Sequence, residues 1–128
     1  METPVRILLV EDNEVYRASL ELLLGMQPGL AVVGSVGDGP GAAGLVAEVE
    51  ADVVLMDFRL PGLNGAEATA LVRRARPAAA VVCLTAEATE AERDTVRAAG
   101  AVGFVDKGEP LEVLVAAILQ AAGEAGDG

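Results

Sequence analysis

The chain has 128 residues with 20 acidic and 9 basic side chains, a net charge of −11 and no histidine. That balance excludes a free-standing nucleic-acid binder with a basic face and docking on anionic membranes. The missing histidine excludes Ser-His or Cys-His catalysis and His-ligated zinc. Hydrophobic residues make up 52% at a mean hydropathy of +0.44, with only 2% aromatics, so the apolar mass is Ala, Val and Leu. The length is that of one domain large enough to fold without disulfides. The one cysteine, Cys83, sits in an apolar run, reads as a small buried hydrophobe and suits a reducing compartment. No apolar stretch reaches the ~18 residues of a membrane span. These features together read as a cytoplasmic protein.

In chain order, Val5–Val10 reads as a buried strand running into Glu11, Asp12 and Asn13. Asn13 is placed to cap a helix that runs to about Met26 and is broken by Gln27-Pro28-Gly29. Leu30–Val36 is a second strand, and a helix is predicted from about Pro40 to Glu50. Asp52–Met56 is a third strand that ends at Asp57. A Pro/Gly loop, Phe58–Asn64, leads to a third helix over about 65–76. Ala80–Leu84 is a fourth strand ending at Thr85, followed by helix-forming residues over 87–99 and a short fifth strand, Val102–Val105. Pro110 opens a last helix to about Ala122. Five βα repeats with connections this short demand parallel strands, right-handed crossovers and helices on both faces. The fold class is therefore α/β, a three-layer doubly wound (βα)5 sheet. The domain spans 1–122, and 123–128 reads as a flexible tail or the start of a linker.

In such a sheet the site lies beyond the carboxyl ends of the strands. The first strand delivers Glu11 and Asp12, the third Asp57, the fourth Thr85, and the loop after the fifth Lys107, the sole lysine. Each like-charge pair at ~4 Å costs about 4 kcal/mol at an effective dielectric of ~20. Three carboxylates there must either shift their pKa values or hold a hard divalent cation. A few oxygen ligands suit Mg²⁺. Asp57 is then the candidate carboxylate nucleophile, Lys107 the group that neutralises a transferred phosphoryl, and Thr85 a donor to one of its oxygens.

The segments VRILLVEDN, VVLMDFRLPGLNG, VVCLTA and GFVDKGEP, in that order, resemble the receiver domain of two-component response regulators. The resemblance covers about Val5 to Leu119. It implies a flavodoxin-like sheet of strand order 2-1-3-4-5. It implies that Asp57 accepts a phosphoryl group from a phosphohistidine of a sensor histidine kinase or phosphotransfer domain. Asp12 and Asp57 would ligate Mg²⁺, Glu11 would act through water, and the backbone carbonyl of Arg59 would be a further ligand. Thr85 and Phe104 match the family's switch pair. The domain would catalyse its own phosphorylation and slow dephosphorylation, a switch rather than a metabolic enzyme; a homodimer on phosphorylation is expected through surplus apolar positions of the first and last helices. The Arg59 side chain is expected to flank the path of the hydrolytic water. The acid pair is Glu-Asp where many members have Asp-Asp, and Gly108 follows the lysine where many have proline. The DKGEP stretch is closest to the NarL/FixJ-type subclass, whose receivers precede a C-terminal DNA-binding domain. Transcription regulation and DNA contact would run through such a domain, which is missing from this chain; a stand-alone receiver acting by protein–protein contact is the alternative.

Two other classes are open to the sequence. Gly39-Pro40-Gly41-Ala42-Ala43-Gly44 spells G-x-G-x-x-G before a helix, the signature of a nucleotide-binding module. It follows the second strand, however, and small residues there also serve a tight turn and helix–sheet packing. An aspartyl-phosphate phosphatase wants an acid two residues after the nucleophile, where this chain has Arg59. The first helix carries two apolar stripes: Tyr16, Leu20, Leu23 and Leu24 on one side, Val15, Leu22 and Met26 on another. The last helix places Leu111, Leu114, Val115 and Ile118 at core spacing and Val113 off it. The surplus apolar positions are a candidate partner or self-association surface.

Overall fold

The computed structural model describes residues 3–126. Five strands alternate with five helices: β1 Val5–Val10, α1 Glu14–Gly25, β2 Leu30–Val36, α2 Gly39–Leu45, β3 Val53–Asp57, α3 Gly65–Ala75, β4 Ala80–Thr85, α4 Glu90–Ala98, β5 Ala101–Asp106 and α5 Leu111–Gly126. The strands form one sheet in the order β2-β1-β3-β4-β5, and all four pairings are parallel. The predicted doubly wound architecture is the one observed.

The sheet separates two apolar layers. Ile7, Leu9, Val53, Leu55, Val82 and Leu84 point to the side covered by Leu20 and Leu24 of α1 and Leu114 and Ile118 of α5. Their neighbours Leu8, Val10, Val54, Met56, Val81 and Cys83 point the other way, against Ala42 of α2, Ala68 and Val72 of α3 and Val96 of α4. Every residue of β3 and β4 is buried, which is why these strands show no alternation of polar and apolar residues.

The two largest boundary differences from the sequence reading fall at the ends of α2 and α5. The second helix stops at Leu45, not Glu50. Its continuation is unwound into a turn whose Val49 and Glu50 carbonyls accept from the Arg6 guanidinium, Nη2 to Val49 at 2.8 Å and Nε to Glu50 at 3.3 Å. Glu50 itself takes a left-handed φ of 52°, which ends a helix. At the other end, α5 continues through Gly126, so residues 123–126, expected as tail, extend the last helix; residues 127 and 128 lie outside the described residues. The G-x-G-x-x-G stretch has a packing use. Asp38 caps α2 by accepting from the Gly41 N–H at 2.6 Å. A Cβ on Gly39 would stand 3.0 Å from the Ala68 Cβ of α3. The glycine permits close approach of two helices, and no phosphate loop is formed. No helix among the described residues is long and apolar enough to cross a membrane.

Candidate functional site

The carboxyl edge of the sheet gathers the predicted residues. The Glu11 N–H donates to the Val36 carbonyl at 3.0 Å, the Phe58 N–H to Leu84 at 2.9 Å and the Lys107 N–H to Thr85 at 2.7 Å. The parallel register thus continues past each strand end and fixes where the side chains emerge. Carboxylate oxygens of Glu11, Asp12 and Asp57 lie within 4.8 Å of one another. Glu11 and Asp57 are buried and Asp12 is exposed.

Lys107 closes the cluster. Its Nζ donates to Glu11 Oε1 at 2.6 Å and lies 3.3 Å from Asp57 Oδ1. The other Glu11 oxygen accepts from the Asn13 N–H at 3.0 Å, while Asn13 Oδ1 accepts from the Tyr16 N–H at 2.9 Å and caps α1. The Tyr16 ring centroid lies 4.8 Å from Lys107 Nζ. Arg17 Nη1 donates to the Glu11 carbonyl at 2.6 Å. Tyr16 and Arg17 are site neighbours that the sequence reading left as helix positions. An aromatic one turn past a capping Asn was the available signal, read there as part of an apolar stripe of the first helix.

Asp57 is held by its own loop. The Arg59 N–H points to Asp57 Oδ1 at 3.3 Å, and the loop turns back at once, Gly65 N–H donating to the Phe58 carbonyl at 2.8 Å. A Cβ at Gly65 would sit 2.9 Å from the Phe58 Cα, so glycine is required for this approach. The exposed Arg59 side chain takes a course not anticipated: Nη2 reaches Glu92 Oε2 on α4 at 3.9 Å and the guanidinium lies over the Phe58 ring.

The electrostatics follow from this packing. Burial pushes the Asp57 carboxyl up, the hydrogen bond and charge of Glu11 push it further, and Lys107 and the Arg59 N–H offset only part, leaving it at about 6. Glu11 ends below the usual carboxylate range, because the bonds from Lys107 and Asn13 outweigh its own burial. For Lys107, burial works against the charge, but the bond to Glu11 and the charge of Asp57 outweigh it and hold the ammonium above its ordinary value. Burial drives the Cys83 thiol up to about 12, which fits an inert core residue.

Thr85, at the end of β4, is buried, and its Oγ1 has no hydrogen-bond partner among the described residues. An unpaired buried hydroxyl is costly. Phe104 pairs with Cys83 across β4 and β5 and is half-buried, with the Arg97 guanidinium 4.9 Å and that of Arg93 6.0 Å from its ring centroid.

The parallel doubly wound sheet thus gathers three acids, a lysine and a buried threonine hydroxyl at its carboxyl edge. The response regulator receiver domain model matches residues 7–119, and the chain belongs to that family. It is 36% identical over 116 residues to the response regulator GacA of Pseudomonas aeruginosa, covering 91% of this chain and 54% of the relative. The chain thus spans about half the length of the curated relatives it matches. Among solved structures, a LuxR-family two-component response regulator from Aurantimonas sp. SI85-9A1 superposes with a TM-score of 0.89 at 34% identity, over 95% of this chain and 87% of that one. The receiver domain of the sensor histidine kinase PA1611 of Pseudomonas aeruginosa, described with magnesium in its active-site cleft, gives 0.81 at 29% identity over 94% and 99%. The chain is a receiver domain of the response-regulator type, as the motifs implied.

Proposed function

We propose that Asp57 is the phosphoryl acceptor of a Mg²⁺-dependent transfer from a phosphohistidine on a partner kinase or phosphotransfer domain. The observation that carries this is a buried carboxylate 3.3 Å from the Lys107 ammonium. An Asp57 oxygen attacks phosphorus, the P–N bond of the donor breaks, and the imidazole leaves with a proton. Hydrolysis by water later breaks the new P–O bond and restores the carboxylate. Lys107 neutralises charge on the phosphoryl oxygens, and the Thr85 hydroxyl, which has no partner of its own, donates to one of them.

The donor set fits Mg²⁺: all oxygen, three carboxylates within 4.8 Å, and one of them reluctant to ionise alone. Asp12 and Asp57 would hold the ion, with Glu11 through water and the Arg59 carbonyl as a further ligand; bound there it screens the carboxylates and the incoming phosphoryl oxygens from one another. The phosphoryl group adds about −1.5 to −2 charges. As Thr85 turns to it, Phe104 moves inward and the face of α4, β5 and α5 is repacked for a partner. The chain matches about half the length of the response regulator GacA, and its DKGEP stretch resembles the subclass whose receivers precede a DNA-binding domain. Both support output as transcription regulation through a further domain, and the exposed apolar side chains of α1 and α5 support homodimer formation on phosphorylation.

Acetyl phosphate with Mg²⁺ tests the acceptor. One acid- and base-labile phosphoryl group should appear, and borohydride reduction should mark Asp57. A stable phosphate on serine or threonine refutes it.

A further inference from the structure

Lys107 is the chain's only lysine, and its ammonium is surrounded on three sides. Glu11 Oε1 takes one N–H at 2.6 Å and Asp57 Oδ1 lies 3.3 Å away. The third side is covered by the Tyr16 ring, whose centroid is 4.8 Å from Nζ, inside the ~6 Å range of cation–π attraction. The backbone from which the ring rises is tied to the acid site. Asn13 gives its N–H to Glu11 and accepts the Tyr16 N–H on its side chain. Glu11, Asn13 and the Tyr16 backbone are therefore linked in one hydrogen-bonded turn beside the ammonium.

We propose that Tyr16 is a positioning residue for phosphoryl transfer to Asp57, its ring face holding the Lys107 ammonium against Glu11 and Asp57. The inference rests on the reading of Asp57 as acceptor. Lysine carries its charge on a flexible four-carbon stem, and Lys107 sits in the turn after β5, followed by Gly108. When phosphoryl reaches Asp57, the ammonium must pass its hydrogen bond from a carboxylate oxygen to a phosphoryl oxygen. A π face attracts the cation without accepting its protons as strongly as a carboxylate, so it confines the ammonium and leaves its N–H groups for the oxygens. The ring also lines an apolar groove of about 160 Å³ with Leu23, Leu111 and Leu114, so simple packing is the competing account. Packing depends on the ring's shape; positioning depends on the charge of its face.

That difference defines the experiment, performed on the full chain with acetyl phosphate and Mg²⁺, and with beryllofluoride as a stable mimic. Tyr16→Phe should keep the phosphorylation rate within about twofold, and Tyr16→Leu should lower it about fivefold. Phenylalanines carrying increasing fluorine at position 16 should lower it stepwise at nearly constant shape. In a Lys107→Met background, Tyr16→Leu should have no further effect. Tyr16 is the only tyrosine and the chain has no tryptophan. A near-ultraviolet tyrosine difference signal on adding beryllofluoride therefore reports this ring, and Lys107→Met should abolish it. Rates indifferent to fluorination, or Leu equal to Phe with only the melting temperature changed, overturn the proposal while leaving Asp57 as acceptor. A wild-type chain that takes no phosphoryl on Asp57 overturns both.

Discussion

The Lys107 ammonium donates to Glu11 Oε1 at 2.6 Å across 96 positions of sequence. It joins the end of β5 to the end of β1 over the top of β3 and β4.

The two partners are unequal. Glu11 is fully buried, whereas about a quarter of the Lys107 side chain meets solvent. Removing one member of a buried pair costs about 3–5 kcal/mol, because the other charge is stranded. Lys107→Met strands Glu11 and Asp57 together; discounted for partial exposure, the loss should be about 2 kcal/mol without Mg²⁺. Glu11→Gln leaves Lys107 with Asp57 and relieves a like-charge contact, so it should cost less. Urea unfolding of both variants measures the order, and a larger loss for Glu11→Gln contradicts this electrostatic account.

Asp57 titrates at about 6 in the folded chain, well above its ordinary 3.8. A raised carboxyl means that the folded state binds more protons than the unfolded one between those values, so this group's contribution to stability falls as pH rises through that window. A cation must displace the proton. Mg²⁺ affinity should be flat above about pH 7 and fall about tenfold per unit below pH 6. Calorimetric titration from about pH 5 to about pH 8 follows this. Affinity constant across that range rejects Asp57 as a ligand. Asp12→Ala should remove the Mg²⁺-dependent rise in melting temperature.

Thr85 gives opposite signs in two assays. Its Oγ1 is buried and unpaired, so Thr85→Val, which keeps the shape, should leave the resting domain unchanged or more stable by about 1 kcal/mol. The same change should weaken beryllofluoride binding by about tenfold, since a charge-assisted donor is lost. Thermal melting and beryllofluoride titration check the pair of outcomes. Destabilisation by valine would mean that the hydroxyl has a partner in the resting state.

The alternation of strands and helices, the strand ends and the acidic edge were legible in the sequence because buried parallel strands are written as unbroken apolar runs and the site sits where each run stops; the lateral order of the strands came only with the family resemblance. Asn13, Asn64 and Thr89 cap their helices through side-chain bonds three residues on, a local signal. What was not legible depends on contacts remote in sequence. The turn that follows the early end of α2 is held by Arg6, more than forty positions away. The Tyr16 ring over Lys107 joins residues at opposite ends of the chain. The guanidinium stacking of Arg97 on Phe104 and the reach of Arg59 to Glu92 likewise depend on how α4 docks.

The apolar stripe that α1 turns outward leads to the last prediction. Val15, Leu22 and Met26 are 79%, 66% and 70% exposed, while Leu20 and Leu24 of the other stripe are buried. On α5, Val113 and Leu119 are also exposed. Two copies at −11 each repel, so association requires apolar burial, and added salt should strengthen it by screening the repulsion within about 8–10 Å. Weak dimerisation through α1 and α5 should therefore appear with Mg²⁺ and beryllofluoride and increase with moderate salt. Leu22→Asp and Val113→Asp should each weaken it by at least about tenfold, since each buries a charge in an apolar contact. Sedimentation velocity with and without beryllofluoride measures this. Dimers insensitive to both substitutions would place the contact on α4, β5 and α5, and a monomer in both states would leave a separate partner as the reader of the switch.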